Sequence, residues 1–386
     1  MVSIEKIYLA SRPKTNEERK INSWLPSFQP TQFGGAYGMW DLAAQYGGLK
    51  KAPFPQRSGI WQHGWGVREI NNDPVDMLGY NLEQQKQLLN KPCWVGRQDQ
   101  VESLHTFGFS KARAIGVPIC YVQPFELRRI QNSLLVMPPH GDWDSNHVWC
   151  GKAFASYVAT LSKSFQYIVA CVHPTDFATG NWVTDLRLKN IPVISGAFWF
   201  DANALKRMAF LFSRFEVILA NGFGSHLAYA QLFGAKVAID GPFTTWVNND
   251  KNFSSIYSER SLKVAYPQLF CRPEDARLDQ EWAKKELGCE NILMPDEVLE
   301  EFGWTESRAT QYNNNKKKVA IDHWTFGRHL LRLKQTQKAK EHFDIAKSVS
   351  PNACVTGSKL YKFIVNVFGP KVAEFIGEIL QQYKNN

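Results

Sequence analysis

The sequence has few of the features that identify common classes of protein. Its seven cysteines include no C-x-x-C pair and no cysteine and histidine cluster with the spacing of a zinc site. An odd number of cysteines, most of them in apolar stretches, instead predicts free buried thiols in a reducing compartment. A disulfide framework and a structural zinc ion are therefore not expected.

Long hydrophobic runs are also missing. The most apolar candidate, residues 209–222, contains Arg214 and Glu216, and no run approaches the roughly 18 apolar residues that a membrane-spanning helix needs. Residues 1–6 lack the basic and then apolar pattern of a signal peptide. We therefore expect a cytoplasmic protein.

Signatures of several enzyme classes are absent. The sequence has no G-x-x-x-x-G-K-[ST], no G-x-G-x-x-G after a strand, no G-x-S-x-G and no H-E-x-x-H. Kinase, dehydrogenase, serine hydrolase and zincin activities therefore lose their main support. The net charge of +9 suits anionic ligands. Because the dense basic run 316–318 follows three asparagines and no nucleic-acid-binding signature is present, we expect no nucleic-acid partner.

A regular alternation of strands and helices begins at Leu134. Apolar runs separated by helical periodicity predict strands at 134–137, 167–172, 192–194, 216–220 and 236–239. Strands that alternate with helices of this length predict βαβ units, and hence a parallel, doubly wound sheet. In such sheets ligands bind at the carboxyl ends of the strands.

The remaining segments are harder to interpret. We expect residues 1–128 to form an N-terminal domain that is largely irregular, with the end of a helix near Arg113 and a buried strand at 117–122. Residues 129–324 would form the second domain, whose end from 241 to about 315 is polar and irregular. Two helices within 325–386, at about 325–349 and 358–383, would pack across both domains, and binding to an anionic membrane surface is a second interpretation of the last one.

Two of the predicted strands lead into polar turns that suit an anion. Helix N-termini offer unpaired N–H groups and a positive dipole end, and proline is favoured at the first helical position. The second turn adds glycines that permit close backbone approach and a serine that is a natural N-cap with a hydroxyl able to donate to a phosphate. Ordinary strand-to-helix turns are the alternative, but the pair favours a nucleotide-phosphate site. The residues concerned are His173, Pro174, Asn221, Gly222, Gly224, Ser225 and His226.

An aromatic turn in the N-terminal domain contains a histidine between two tryptophans, Trp61, His63 and Trp65. Such a group would suit a general base or a wall on which a sugar stacks. A buried histidine whose hydrogen bonds are satisfied is an equal alternative.

A polar segment after the strand at 134–137 concentrates imidazoles and carboxylates, including His140, Asp142 and Asp144. A carboxylate there could act as nucleophile, base or electrostatic stabiliser. A polar interdomain loop has equal weight. Asp142 and Asp144 form the D-x-D pattern that binds metal in one class of glycosyltransferase, but the pattern is short and the order of elements differs, so we predict no metal.

These turns resemble known motifs. His173-Pro174 and the later serine-bearing turn at 221–226 resemble the paired HP and Ser/Thr motifs of GT-B glycosyltransferases that use CMP-activated acidic sugars, namely bacterial sialyltransferases and β-Kdo transferases of capsule and lipopolysaccharide assembly. The resemblance covers mainly residues 133–242. It implies two Rossmann-like domains that face a cleft, with His173 on the donor phosphate and Ser225 on the cytidine nucleotide. Here the second motif has Gly-Ser-His rather than the Ser-Ser or Ser-Thr of many members.

A second resemblance points to a different transferred group. Residues 61–65 are similar to the W-H-G-T segment of CDP-glycerol glycerophosphotransferases, which also have a later HP, although Gln62 is inserted here and the threonine is absent. Both families use a cytidine donor and a GT-B fold.

We therefore expect an α/β protein of the GT-B type that transfers Kdo or a sialic-acid-like sugar from a CMP-linked donor to a glycan or glycolipid acceptor, without a metal or other cofactor. Asp142 or Asp144 would act at the anomeric centre, and His63 is the alternative base. Trp61, Trp65 and His140 would line the acceptor cleft.

Two other functions stay open at this point. One is a CDP-glycerol-type glycerophosphotransferase, and the other is a non-catalytic glycan-binding protein that uses the tryptophan-rich first domain. For the enzyme we expect a cytoplasmic location, with peripheral contact at the inner membrane as a further interpretation.

Overall fold

Two parallel β-sheets organise the part of the chain that the computed structural model describes, which comprises residues 12–31, 36–49, 52, 59–66, 88–140, 146–179, 181–247, 257–305, 340, 343 and 344. The chain divides into two compact units, Met1–Thr305 and Glu306–Asn386. Both sheets belong to the first unit. In the second, only the helical residues 340, 343 and 344 are described, so the helices predicted at 325–349 and 358–383 otherwise lie outside the described residues.

The N-terminal sheet has three short parallel strands, in which β1 pairs with β2 and β2 with β3. The elements of this part are α1 (Asn16–Trp24), α2 (Met39–Tyr46), β1 (Ile60–Trp61), β2 (Cys93–Val95), α3 (Gln98–Thr106) and β3 (Ala112–Ala114). Apolar side chains of α3 and β2, among them Val95, Val101 and Leu104, form a small core with Phe109.

The expectation that this part is irregular was wrong, and so was the strand predicted at 117–122. Pro118–Tyr121 forms a 3₁₀ helix. Pro118 has no N–H to give to a sheet and its fixed φ suits the first helical position, while Gly116 turns the chain with a φ of +75°. The strand is instead β3, in the segment that was expected to be the end of a helix.

The second sheet has five strands, all parallel to their neighbours, in the order β7-β6-β4-β8-β9. The chain moves outward from β4 to β7 and then returns to β8 on the other side of β4, as in doubly wound sheets. A separate antiparallel pair joins β5 and β10. The elements are β4 (Ile130–Val136), β5 (Asn146–Val148), α4 (Gly151–Thr160), β6 (Tyr167–Val172), α5 (Pro174–Thr179), α6 (Asn181–Leu188), β7 (Val193–Ser195), α7 (Ala204–Arg214), β8 (Phe215–Ala220), α8 (His226–Leu232), β9 (Lys236–Ile239) and β10 (Thr245–Val247).

The five strands of this sheet confirm the prediction from apolar runs. Leu134, Leu135 and Val136 of β4 are all fully buried, so successive residues on both faces of the strand lie in the interior. A strand covered on both faces needs a continuous apolar run rather than an alternating one. Phe154 and Val158 of α4 pack over one face of the sheet in its main core.

Three further helices follow: α9 (Glu259–Ala265), α10 (Gln280–Leu287) and α11 (Pro295–Glu301). The expectation of an irregular segment was therefore wrong for the described residues from 257 to 305. These helices are polar, but their ends have ordinary signals, since Asp279 caps α10 through the Trp282 N–H and Gly288 ends it with a φ of +68°.

Helices α10 and α11 return the chain to the N-terminal part. The indole N–H of Trp65 donates to Glu286 (3.0 Å), and that of Trp94 donates to Glu301 (2.9 Å). Both carboxylates are buried, and Arg97 lies 3.6 Å from Glu286 as its ionic partner. Hydrogen bonds and ion pairs of this kind are what make a buried carboxylate tolerable.

The six described cysteines all have free thiols, which confirms that part of the prediction. Cys93 and Cys171 are buried, but Cys150, which directly precedes α4, is exposed. No helix among the described residues is long and apolar enough to cross a membrane.

Glu18 joins α1 to β7, the outermost strand on one side of the five-stranded sheet. Its fully buried carboxylate accepts hydrogen bonds from the Val193 N–H of β7 (3.0 Å), from the Lys14 N–H (2.6 Å) and from the Arg187 guanidinium (2.8 Å). Burial alone would raise the pKa of Glu18, but these hydrogen bonds and the Arg187 charge together lower it.

We expect Glu18→Gln to lower the free energy of unfolding by about 3 kcal/mol at pH 7, because Arg187 would lose its buried ionic partner. A lowered pKa in the folded state means that the ionised carboxylate stabilises the fold above its usual pKa of 4.5 and ceases to do so as the pH falls below that value. The difference in the free energy of unfolding between Glu18→Gln and the unmodified protein, measured by urea denaturation, should therefore become smaller in acid. Glu102→Gln, at an exposed position of α3, is the control and should change stability by less than about 0.5 kcal/mol.

Candidate functional site

Three histidines follow strands of the five-stranded sheet and meet where those strands end, at the carboxyl edge of the sheet. His140 follows β4, His173 follows β6 and His226 begins the helix after β8. Because the strands are parallel, their carboxyl ends share an edge, and β4 and β8 flank the point where the chain reverses direction. The rings of His140 and His173 stack with centroids 4.1 Å apart and planes inclined by 19°.

A fourth histidine, His63, comes from the N-terminal part. The Tyr229 hydroxyl donates to the His63 carbonyl (2.9 Å), and the Trp65 N–H donates to the Ser225 hydroxyl oxygen (2.9 Å). A Cβ added to Gly64 would lie 2.5 Å from that oxygen, so the contact requires glycine. We call His63, His140, His173 and His226 the histidine cluster.

Burial and the proximity of His140 disfavour the charged forms of His63, His173 and His226. Burial lowers the pKa of His173 well below its usual range and that of His226 to about 3, and the proximity of His140 lowers both further. The same two causes lower the pKa of His63, which is surrounded by protein but keeps part of its side chain exposed to solvent. Near neutral pH these three rings are therefore uncharged, each with one N–H donor and one acceptor nitrogen.

The hydrogen bonds of His173 assign its tautomer. Its Nδ1 lies 2.7 Å from the Thr175 hydroxyl and accepts from the Thr175 N–H at 3.4 Å. An accepting Nδ1 leaves the proton on Nε2. That Nε2 is buried and has no hydrogen-bond partner.

Other polar atoms near the carboxyl ends of the strands are also buried and lack a hydrogen-bond partner. The Nε2 of His226, the Asn221 side-chain oxygen and the Thr244 hydroxyl are buried without a hydrogen-bond partner. Asn221 and Thr244 are neighbours, since the Thr244 N–H donates to the Asn221 carbonyl (2.6 Å). Buried polar groups are nearly always paired, and each exception costs about 1–3 kcal/mol. Four such atoms near one sheet edge mark a candidate site for a polar ligand.

Asp176 is a candidate that the sequence did not suggest. It lies in the first turn of α5, where its N–H donates to the His173 carbonyl (3.0 Å), and burial raises the pKa of its carboxyl group to about 7. A carboxyl group with that pKa exchanges protons near neutral pH. An acidic residue in the first turn of a helix is common, so no sequence pattern separates this one from others.

Ser225 holds the site together rather than capping a helix. It precedes α8, as expected of an N-cap, but its hydroxyl makes no cap hydrogen bond and instead contacts the Trp65 N–H and carbonyl (2.9 and 3.4 Å). Helices α5 and α8 have only six and seven residues. Their dipoles are correspondingly weak, so an anion here would depend on side chains.

The two tryptophans beside His63 belong to the core. Trp61 is 2% exposed and donates to the Gly116 carbonyl, while Trp65 is 5% exposed and packs on Phe223 and Trp282. Neither ring offers a face to an acceptor, in contrast to the expectation for them. His140, by its stacking on His173, does lie at the sheet edge.

The other candidate residues have these positions. Pro174 is the first residue of α5. A Cβ added to Gly222 would lie 2.9 Å from Pro139, and one added to Gly224 would lie 2.6 Å from the His226 ring, so both glycines let the turn pack against its surroundings. Asp142 and Asp144 lie outside the described residues. In the part of the chain that the structure describes, no group of His, Cys, Asp or Glu could hold a metal ion.

A cavity of about 270 Å³ opens beside the cluster's sheet edge, at the carboxyl end of β9. Two phenylalanine rings on its wall, Phe243 and Phe270, lie 6.2 Å apart and nearly parallel, and Lys263 lies over Phe270. Charged groups of both signs, Asp240 and Arg272 among them, complete the wall.

No family model, characterised protein or solved structure matches this chain. The resemblances to cytidine-dependent transferases therefore rest on the motifs quoted above.

Ser225→Ala should lower the free energy of unfolding by about 1–2 kcal/mol, because the Trp65 N–H would lose its acceptor in a partly buried position. Chemical denaturation measures this. Ser162→Ala removes an exposed hydroxyl that only bonds within its own turn, and should have an effect below about 0.5 kcal/mol. Equal stability of the Ser225→Ala and unmodified proteins would contradict the positioning role.

Stability should fall in mild acid because of the neutral imidazoles. His226 has a folded-state pKa of about 3 against a usual 6.5, so below pH 6.5 the unfolded chain binds a proton that the folded chain does not. Each such group removes at most about 1.4 kcal/mol per pH unit as the pH falls through this window. Asp176 acts with the opposite sign, since its raised pKa favours the folded state at low pH and the effect is lost towards pH 7.

The contribution of one imidazole can be isolated by substitution. We expect His226→Gln to flatten the loss of stability between pH 6.5 and 4.5, as measured by urea denaturation at several pH values. His105→Gln, at an exposed position of α3, should leave the slope as it is in the unmodified protein. An unchanged slope in His226→Gln would show that this ring does not titrate as described.

Proposed function

We propose that this chain is a metal-independent glycosyltransferase of the GT-B type, which transfers an acidic sugar, Kdo or a sialic-acid-like sugar, from a CMP-activated donor to a bacterial surface-glycan or glycolipid acceptor. The observation that supports it most is the pair of buried Nε2 atoms of His173 and His226, which have no hydrogen-bond partner at the carboxyl edge of a doubly wound sheet. The neutral imidazole of His173, whose proton is on Nε2, can donate to a phosphate oxygen while the surrounding protein excludes water.

The phosphate of the leaving CMP would lie against the Nε2 of His173. His173 has its proton on Nε2, so it can donate to an oxygen that gains negative charge as the bond to the sugar breaks. Ser225 would position residues 63–65 through its hydrogen bond with the Trp65 N–H and would not itself donate to the phosphate. The cavity at the end of β9 would take the nucleoside, with the base against Phe243 and Phe270.

The transfer itself needs a proton acceptor. The acceptor hydroxyl attacks the anomeric carbon, the bond from that carbon to the phosphate oxygen breaks, and CMP leaves with the electron pair. The hydroxyl proton passes to a base, for which His63 and Asp176 are the described candidates, because the first is neutral and the second has a pKa of about 7. Asp142 and Asp144 remain proposals for the carboxylate at the anomeric centre.

The GT-B architecture is supported by two parallel sheets and by an N-terminal turn that reaches the sheet edge of the second. In that fold the acceptor would be held mainly by the N-terminal part. Location in the cytoplasm, with contact at the inner membrane, belongs to the same proposal, since the donor and a lipid-linked acceptor would meet there.

A CDP-glycerol-type glycerophosphotransferase is the second candidate. It is favoured by the position of residues 61–65, because the segment that resembles the W-H-G-T motif places His63 in the same cluster as His173. The two functions differ in the donor that they bind.

A nucleotide panel tests the proposal. We expect CMP to raise the melting temperature of the protein and CMP-Kdo or CMP-sialic acid to be hydrolysed or transferred, since a ligand that binds only the folded state stabilises it. In calorimetry, His173→Ala should weaken CMP binding by about tenfold or more, as expected when a hydrogen bond to a charged group is lost. His105→Ala, an exposed histidine of α3, is the matched control and should bind CMP normally.

The outcomes separate the alternatives. Stabilisation by CDP-glycerol but not by CMP would favour the glycerophosphotransferase. Unchanged CMP affinity in His173→Ala would end the phosphate role of that residue. If CMP, CDP and UDP all left the melting temperature unchanged, the nucleotide-dependent function itself would be rejected.

A further inference from the structure

The loop after β7 places an exposed tryptophan at the same sheet edge as the histidine cluster. β7 pairs with β6, so the loop from Gly196 to Asn203 leaves the sheet beside His173. Trp199 in this loop is 41% exposed, whereas Trp61 and Trp65 are almost fully buried. A large apolar ring that is exposed beside the histidine cluster is more informative about ligand binding than a ring in the core.

Trp199 belongs to a group of three rings that includes His63. The centroid of Trp199 lies 5.3 Å from that of Tyr37 and 5.7 Å from that of His63, and Tyr37 and His63 are 6.2 Å apart. The ring planes are inclined to one another by 58°, 64° and 41° respectively. We call Tyr37, His63 and Trp199 the aromatic triad.

The backbone around the triad is fixed by the N-terminal part. The Tyr37 N–H donates to the Trp199 carbonyl (2.9 Å), and the Thr31 N–H donates to the Phe200 carbonyl (3.1 Å). Next to Tyr37, a Cβ added to Gly38 would lie 2.5 Å from the Ala202 backbone, so only glycine allows the two segments to approach this closely.

Tyr37 itself has a left-handed backbone, with a φ of +55°. Bulky residues rarely adopt it, because the Cβ crowds the backbone, and such strain persists only where the surroundings hold it in place. The strained residue is thus part of a preorganised group of rings rather than of an adaptable loop.

A sugar ring matches this surface. A pyranose has a face of C–H bonds, which packs on an aromatic ring, and a rim of hydroxyls, which needs polar partners. Trp199 supplies the exposed apolar face, and His63 supplies a neutral imidazole at the side of the histidine cluster. Because the three rings are inclined rather than parallel, they do not form the sandwich that a flat base would fill.

We propose that the aromatic triad binds a pyranose ring of the acceptor glycan, with Trp199 as its stacking surface. The assignment of that ring to an acceptor rests on the proposed function. The acceptor hydroxyl would then be held beside His63, between the triad and the phosphate-binding imidazoles.

Fluorine NMR of protein labelled with 5-fluorotryptophan tests the triad. The fluorine signal that is missing from the spectrum of Trp199→Phe is assigned to Trp199. The labelled protein is then titrated with the methyl pyranosides of galactose, glucose, mannose and N-acetylglucosamine. At least one should shift the Trp199 signal saturably with a millimolar dissociation constant, while the signals of Trp61 and Trp65 stay unchanged. Sorbitol, an acyclic polyol, should have no effect.

Substitution checks the same binding by saturation-transfer NMR of the pyranoside. Trp199→Phe should weaken binding several-fold and Trp199→Ala should abolish it, with melting temperatures close to that of the unmodified protein because Trp199 is exposed. Trp24→Ala is the matched control. Trp24 ends α1 and lies over Arg214, which directly precedes β8, so it belongs to the opposite edge of the sheet.

The outcomes are distinct from those of the nucleotide panel. If no pyranoside moves the Trp199 signal, or if cytidine moves it instead, the proposal is overturned even where CMP stabilises the protein. If a pyranoside binds at Trp199 but no nucleotide stabilises the fold, the sugar site stands and the transferase function fails.

Discussion

The contact between Gly64 and Ser225 is the constraint on which the candidate site depends. The five-stranded sheet by itself places His140, His173 and His226 at one edge, because parallel strands end together. His63 joins them because the Ser225 hydroxyl accepts from the Trp65 N–H, the Gly64 backbone fits against it without a side chain, and the Tyr229 hydroxyl donates to the His63 carbonyl. The same turn carries Trp65 into the core, where its N–H reaches Glu286 of α10. Helix packing and site assembly are therefore coupled through one short segment.

The electrostatics of the site follow from this crowding. The imidazoles of the histidine cluster cannot all be charged, since burial and mutual repulsion both favour the neutral form. Neutral rings keep directional N–H donors without the cost of desolvating a cation, which suits a ligand that brings its own negative charge. Asp176 is shifted in the other sense by the same burial. The surrounding protein thus lowers the pKa values of the imidazoles and raises that of the carboxyl group, so both kinds of group favour their uncharged forms.

The sequence predicted the five-stranded sheet well but not the rest of the fold. Strands such as β4 and β6 are covered on both faces, so they must be continuous apolar runs, and that pattern is visible in a single sequence. The N-terminal strands have only two or three residues, too few for any periodicity. Helices α10 and α11 are largely polar, and each has a buried glutamate, Glu286 or Glu301, that accepts from an indole N–H. These pairings are long-range, so no local sequence pattern reveals them.

The site was predictable to a similar extent. His173 and the turn at 221–226 could be assigned to strand ends, but the role of Ser225 could not, since its partner is 160 residues away in sequence. The tryptophans show the same limit. Trp65 is in a conspicuous motif and is buried, whereas Trp199 follows a three-residue strand without any motif and is exposed. The backbone of the motif around Trp65 contacts Ser225, and the same turn places His63 beside the exposed ring of Trp199. A residue type alone therefore says little about binding; which part of the chain it is held against decides its role.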